Sequence, residues 1–189
     1  RDEKRECTEG YEHVLVVIGE SASSRNMSLY GYPKPTTPFL ESLNVAAFNA
    51  IAPSNQTRLS IPLMLTAADV TNFEQFYSVP SVVTDLRRCG FETFWISNHG
   101  RTGSHDSTNS SIGQEAQHAS WRDNDMFSKP DEVIVPQVRE ALERGSGAKA
   151  IFVQLMGSHF VYSGRYPKDF PTGPVTSTWE EYDESIRYT

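Results

Sequence analysis

Cysteine is scarce in this chain: its 189 residues hold two, Cys7 and Cys89. That is too few for a disulfide-built miniprotein, and their separation matches neither a zinc ribbon nor a Cys-x-x-Cys redox pair. They either pair with each other or stay free, and the compartment stays open on this evidence. Long apolar runs are missing too. The longest strongly apolar stretch, residues 14–18, is five residues, whereas a bilayer-spanning helix needs about 20. Residues 1–10 are charged and carry no apolar core of a signal peptide, so any export signal or anchor is expected upstream of them. Positive charge is also in deficit. Seventeen Lys and Arg against 24 Asp and Glu give a net charge of -7, a field that repels a polyanion and excludes nonspecific nucleic-acid binding. Repeats and low-complexity tracts are absent.

What is present is a globular composition. Hydrophobic residues make 38 % of the chain, with 12 Gly and 11 Pro, and a chain of this length buries most of its apolar surface in one domain. The run His13-Val-Leu-Val-Val-Ile18, β-branched and closed by Gly19, reads as a strand buried on both faces of a parallel sheet. A short helix is expected at residues 37–43, with Pro38 in its first turn, a strand at 46–51, and a helix at 58–65 preceded by Thr57. Residues 80–88 carry Val82, Val83 and Leu86 at helical spacing and stop at Gly90, ahead of a strand at 91–96. Residues 97–125 are rich in Ser, Asn, Gly and His and read mostly as surface loop, with a helical turn possible at 114–119. An amphipathic helix at 131–144 then leads through Gly145-Ser-Gly147 to a strand at 150–156, and residues 178–189 read as helix with no stop signal.

Alternating helices and strands predict an α/β domain with a mainly parallel sheet between helical layers, whose reactive groups gather beyond the C-terminal ends of the strands. Three polar residues sit at such ends: Glu20, Asn98 and His159. By position alone Glu20 is either a ligand for a divalent metal or a loop acceptor, and Thr57 is either a nucleophile or a helix cap. His99, His105 and His118 lack metal-binding spacing and stay outside the expected site.

Val16-Val-Ile-Gly-Glu-Ser21, then Ser28-Leu-Tyr-Gly-Tyr-Pro33 and Thr36-Thr-Pro-Phe-Leu40, resemble the phosphoethanolamine transferases, membrane-anchored zinc enzymes of the alkaline phosphatase and sulfatase superfamily. Thr57-Arg-Leu-Ser-Ile-Pro62 is similar to the family's Thr-x-x-Ser-[Val/Ile]-Pro. Met156-Gly-Ser-His159 with Arg165-Tyr-Pro167 is similar to its Gly-Ser-His-Gly and Arg-Tyr-Pro, Phe160 replacing the glycine. Trp95-Ile-Ser-Asn98 resembles a strand end found in one branch of the family.

The resemblance implies an alkaline-phosphatase-like three-layer α/β/α sandwich with its C-terminal part missing, so that residues 1–189 form a single partial catalytic domain. It implies zinc as cofactor, Glu20 and Thr57 as metal ligands, Thr57 as the nucleophile, and His159 and Asn98 at the substrate. The implied donor is phosphatidylethanolamine and the implied acceptor an envelope glycolipid or glycan. The setting would be the periplasmic domain of an inner-membrane protein whose anchoring segments are not in this stretch. Asp123 and Asp125 are candidates to pair with the donor ammonium. Lys129 matches a substrate-facing lysine of other branches, where the preceding Trp-Arg-Asp-Asn directly follows a strand; here a loop is expected before Trp121, and Lys129 reads as a solvated charge.

The family's Asp-His-Gly, which completes the zinc site, has no counterpart up to Thr189, so this stretch alone is expected to be inactive. Cysteines that flank the nucleophile in several members are replaced by Pro53 and Leu63. Two enzymatic rivals share the fold. One is a lipoteichoic-acid-type phosphoglycerol transferase; the other is a sulfatase or phosphomonoesterase, and a sulfatase would need a [Cys/Ser]-x-Pro-x-Arg motif that Thr57-Arg-Leu-Ser-Ile61 lacks. A non-catalytic envelope-binding pseudoenzyme is the third alternative.

Overall fold

The computed structural model describes Cys7 and residues 12–101, 107–122, 130–171 and 173–189. Four strands, β1 (His13–Ile18), β2 (Glu92–Ser97), β3 (His118–Trp121) and β4 (Lys149–Gln154), form one sheet in the order β1-β4-β2-β3. All three pairings are parallel, so each strand returns through a crossover on a face of the sheet. β4 is the central apolar strand, buried along its whole length.

Side chains alternate across the sheet with the period of two that strands impose. Trp95, Ala150 and Phe152 point to one face, where they pack with Ile61 and Leu65 of α2 (Thr57–Leu65), Val83 of α3 (Val82–Arg88) and Ile112 of α4 (Ser107–Gly113). Phe94, Ile96, Ile151 and Val153 point to the other, against Ile134, just before α5 (Val135–Glu143), and Ala141 within it. The expected three-layer α/β/α arrangement around a parallel sheet is thus present. A disulfide joins Cys7 to Cys89 at the end of α3, 82 residues apart, settling the pairing that composition left open.

Several boundaries move. Thr57 is the first residue of α2 rather than the residue before it. The helix expected over 131–144 is divided into a tight turn, Asp131–Ile134, and α5, whose first turn holds Pro136. Residues 46–51, expected as a strand, have no regular structure, and Phe48 and Ile51 are exposed. A strand needs a neighbour for its backbone groups, and none of the described strands lies beside this segment.

The stretch expected as loop instead holds α4 and β3. The α4 sequence Ser-Thr-Asn-Ser-Ser-Ile-Gly has poor helix propensity, and packing compensates. Ile112 is fully buried, and Gly113 lies so close to Trp95 that a Cβ there would approach the indole to 2.8 Å. Trp121 therefore ends a strand, where a loop was expected before it. Two further helices, α1 (Pro38–Ser42) and α6 (Thr178–Tyr188), flank the loops at the C-terminal end of the sheet. No helix among the described residues is long and apolar enough to cross a membrane.

Candidate active site

Beyond the C-terminal end of β1 the chain turns sharply. Ser21 takes a positive φ of 54°, a conformation uncommon for a residue with a Cβ. The turn presents the Glu20 carboxylate to the start of α2. Its Oε2 accepts a hydrogen bond from the Thr57 hydroxyl at 2.7 Å, and its Oε1 accepts one from the Ser21 hydroxyl, also at 2.7 Å. Two residues 37 positions apart in sequence thereby meet at one pair of oxygens.

Thr57 is aimed by the helix it begins. The first amides of a helix have no intrahelical acceptor, and the helix dipole adds positive potential there, so this terminus favours negative charge near the Thr57 oxygen. Pro62 sits inside α2. It lacks the N–H that would bond the carbonyl of Arg58, and the Thr108 hydroxyl of α4 donates to that carbonyl instead. The proline in the nucleophile motif is thus compensated by the neighbouring helix, and α2 keeps its path to the sheet.

A second loop, following β4, closes on Glu20 from the side. Leu155 N–H donates to the Ile18 carbonyl at 3.0 Å and Ser158 N–H to the Glu20 carbonyl at 2.9 Å. Gly157, at φ 50°, packs flat against Glu20: a Cβ there would lie 2.7 Å from the Glu20 carbonyl oxygen. Only glycine meets both the conformation and the approach. This loop carries His159, which is exposed. Its Nδ1 lies 2.7 Å from the Phe160 carbonyl. A carbonyl only accepts, so Nδ1 holds the proton and, in the neutral ring, Nε2 is the acceptor. Buried Arg165 donates from Nε to the His159 carbonyl at 2.7 Å. Burial lowers the Arg165 pKa, and the nearby Asp131 charge acts to raise it.

Asn98 does not reach the surface with these groups. It is fully buried, and its amide donates to Asp131 Oδ1 at 2.7 Å. His99 is buried with Nε2 2.8 Å from the Leu155 carbonyl, and His118 lies 2.8 Å from Glu92, so both are engaged away from Glu20 and Thr57. Asp123, Asp125, Lys129 and His105 lie outside the described residues.

Positioning residues at two places in the fold escaped sequence reading. Tyr182 of α6 donates its hydroxyl proton to the Ser21 carbonyl and accepts from Ser23 N–H, each at 2.8 Å, clamping the turn that presents Glu20. Its neighbour Asp183 accepts from Asn26, Tyr32 and Lys34, fixing the Ser-Leu-Tyr-Gly-Tyr stretch to α6. The sequence of residues 178–189 reads as helix, but nothing in it points to residues 21 and 23. The second is Asp131, on the other side of the site, which accepts from Met156 N–H and Gly157 N–H across a spacing that carried no signal.

As a metal site, Glu20 and Thr57 offer two oxygen donors of the hard type that zinc accepts alongside nitrogen. Among the described residues no three His, Cys, Asp or Glu side chains gather, so the donor set here is a fitting half of a zinc site and no more.

The chain is similar to several known proteins. Phosphoethanolamine transferase OpgE of Escherichia coli K12 is 33% identical over 155 residues, covering 79% of this chain and 29% of its own length. Phosphoethanolamine transferase EptC of Escherichia coli O18:K1:H7 is 29% identical over 165 residues, covering 82% of this chain and 29% of its own. The crystal structure of the C-terminal periplasmic domain of Escherichia coli EptC in complex with zinc superposes with a TM-score of 0.81 at 26% identity, over 93% of this chain and 56% of that one. The chain thus spans about a third of the length of the curated relatives it matches. The Sulfatase family model matches residues 12–189. The chain belongs to the sulfatase family, and its relatives include phosphoethanolamine transferases.

Proposed function

We propose that this chain is part of the catalytic domain of a transferase that moves phosphoethanolamine from phosphatidylethanolamine to a hydroxyl or phosphate of an envelope glycolipid or glycan. The observation that carries the reading is the 2.7 Å contact between the Thr57 hydroxyl and the Glu20 carboxylate, at the meeting of a helix N-terminus and a strand C-terminus.

Thr57 Oγ1 is the nucleophile. It attacks the donor phosphorus, the bond from phosphorus to the diacylglycerol oxygen breaks, and that oxygen leaves with a proton as diacylglycerol. The Thr57 proton passes to the Glu20 carboxylate, which already accepts it as a hydrogen bond, and from there to the departing diacylglycerol oxygen. In the second half, an acceptor oxygen attacks the phosphothreonine, the Thr57–phosphorus bond breaks, and the proton lost by the acceptor is returned to Thr57. The positive end of α2 stabilises the oxygen of Thr57 whenever it carries charge. His159, with Nδ1 tied to Phe160 and Nε2 turned outward as an acceptor, takes the proton of the incoming acceptor hydroxyl. Asn98 serves from beneath, through Asp131.

Glu20 and Thr57 would hold zinc through their oxygens as two of its ligands, and bound zinc would lower the pKa of the hydroxyl and offset charge on the phosphoryl group. A periplasmic setting is supported by the Cys7–Cys89 disulfide, which persists in an oxidising compartment, and by the periplasmic origin of the EptC domain.

The test is Thr57→Ala and Thr57→Ser in the full gene product that contains this chain, assayed by mass spectrometry of the envelope glycolipids. The proposal expects no modification with alanine and partial activity with serine. Full modification with Thr57→Ala would overturn Thr57 as the nucleophile, and no modification by the unaltered protein would leave a binding module as the better reading.

A further inference from the structure

We infer that Asp131 is a positioning residue of this site, acting on Glu20 and His159 through the loop at residues 155–159; the inference rests on the functional reading above. The Asp131 carboxylate accepts three hydrogen bonds. Oδ1 takes Asn98 Nδ2 at 2.7 Å and Met156 N–H at 2.8 Å, and Oδ2 takes Gly157 N–H at 2.7 Å. Two successive amides aimed at one carboxylate form an anion-binding concavity, so the charge of Asp131 fixes the direction of that peptide.

The peptide it fixes is the one in closest contact with Glu20. Gly157 lies flat on the Glu20 backbone, leaving no room for a Cβ, and the next amide, Ser158 N–H, donates to the Glu20 carbonyl at 2.9 Å. His159 follows directly, its N–H donating to the Met156 carbonyl at 3.1 Å. A shift of residues 156–157 therefore moves both the putting-forward of the Glu20 carboxylate and the seat of the His159 ring. Asp131 reaches this loop from the helical layer of α5, while Thr57 reaches Glu20 from the layer of α2 on the opposite face. The two layers thus meet at the Glu20 turn, and the sheet between them sets their distance. Asn98, buried and bonded to Asp131, holds the carboxylate in the rotamer that serves both amides.

Asp131→Asn keeps the shape and the bond to Met156, but turns an amide N–H or a neutral oxygen toward Gly157 N–H. In the full gene product, the expected result is a kcat reduced about 10- to 100-fold, the range for lost supporting contacts at reactive groups, with KM for phosphatidylethanolamine changed by less than about threefold. Amide hydrogen exchange over residues 155–159 should accelerate at the same time. Glu115→Gln is the control: it weakens another carboxylate that accepts side-chain bonds, from Ser81 and Thr84, away from this loop. It should leave kcat and exchange over 155–159 unchanged.

Where Asp131→Asn fails to fold, Asn98→Ala removes one donor of the three and should give a smaller kcat loss in the same direction with KM unchanged. A folded Asp131→Asn protein with kcat within about threefold of the parent, or a loss in KM alone, overturns the inference. Full activity of Thr57→Ala overturns the functional reading instead, and faster exchange at 155–159 in Asp131→Asn would then still support Asp131 as the anchor of that loop.

Discussion

Gly157 and Glu20 touch backbone to backbone, at a distance where a Cβ on residue 157 would fall 2.7 Å from the Glu20 carbonyl oxygen and 2.9 Å from its nitrogen. The contact joins the loop after β4 to the turn after β1 and sets where the Glu20 carboxylate stands. Gly157→Ala must both adopt a φ of 50° and push Glu20 aside. The left-handed conformation alone costs about 1–2 kcal/mol. We expect a loss of stability of about 2 kcal/mol in urea denaturation with a loss of activity larger than that of other loop substitutions.

Tyr182 holds the other side of the same turn. Tyr182→Phe keeps the ring but removes the hydroxyl that bonds the Ser21 carbonyl and Ser23 N–H. Stability should fall by about 1–3 kcal/mol, the range for backbone groups deprived of a partner. Denaturant midpoints of the two proteins at one pH provide the measurement.

Burial raises the Tyr182 pKa above its usual value, with the Tyr162 and Asp183 charges adding and the Ser23 bond opposing. A raised pKa means the folded state holds the proton more firmly. The stabilisation is therefore complete below the unfolded-state value, about 10, and is lost as pH rises through the folded value. Stability measured toward high pH should decline more steeply in the parent than in Tyr182→Phe.

Glu180 sets an acid limit at the start of α6. Its carboxylate accepts from Thr176 and Ser177 in a capping box, and the Thr176 backbone bond is the largest of the effects that lower its pKa. A depressed pKa contributes stability above the unfolded value, about 4.3, and that contribution disappears as pH falls through the folded value. Glu180→Gln should flatten the acid side of the stability curve, read as urea midpoints between about pH 3 and pH 6, and leave the alkaline side unchanged.

The elements that sequence reading captured are those whose local pattern matches their final environment. The stretch ending at Gln154 is buried on both faces of the sheet, as its apolar run implies, whereas residues 13–18 form the expected strand but not the expected burial: β1 is an edge strand, with Leu15 and Val17 on its exposed face. Glu20 and Thr57 were legible because their motifs are local: Gly-Glu-Ser at a strand end, and threonine opening a helix with serine and proline following. What stayed hidden depends on partners distant in sequence. His-Ala-Ser-Trp becomes a strand only beside β2, and the serine-rich α4 becomes a helix only where Ile112 fits under Trp95 and Thr108 meets the carbonyl that Pro62 leaves open. Conversely, residues 46–51 have a strand-like pattern but no neighbouring strand among those described. Asp131 looked like an ordinary acid in a first helical turn. Its work lies 25 and 26 residues away, at Met156 and Gly157, and no local pattern encodes that distance.

The central claim is that Thr57, beside Glu20, carries phosphoethanolamine between donor and acceptor. The most direct measurement incubates the full gene product with phosphatidylethanolamine labelled in its ethanolamine, without acceptor, then quenches in acid and maps peptides by mass spectrometry. The account predicts label on the peptide that contains Thr57, absent from Thr57→Ala, strongly reduced in Glu20→Ala, and chased off by added acceptor glycolipid. Transfer to the acceptor with no label on that peptide at any time, or label that persists in Thr57→Ala, would contradict it.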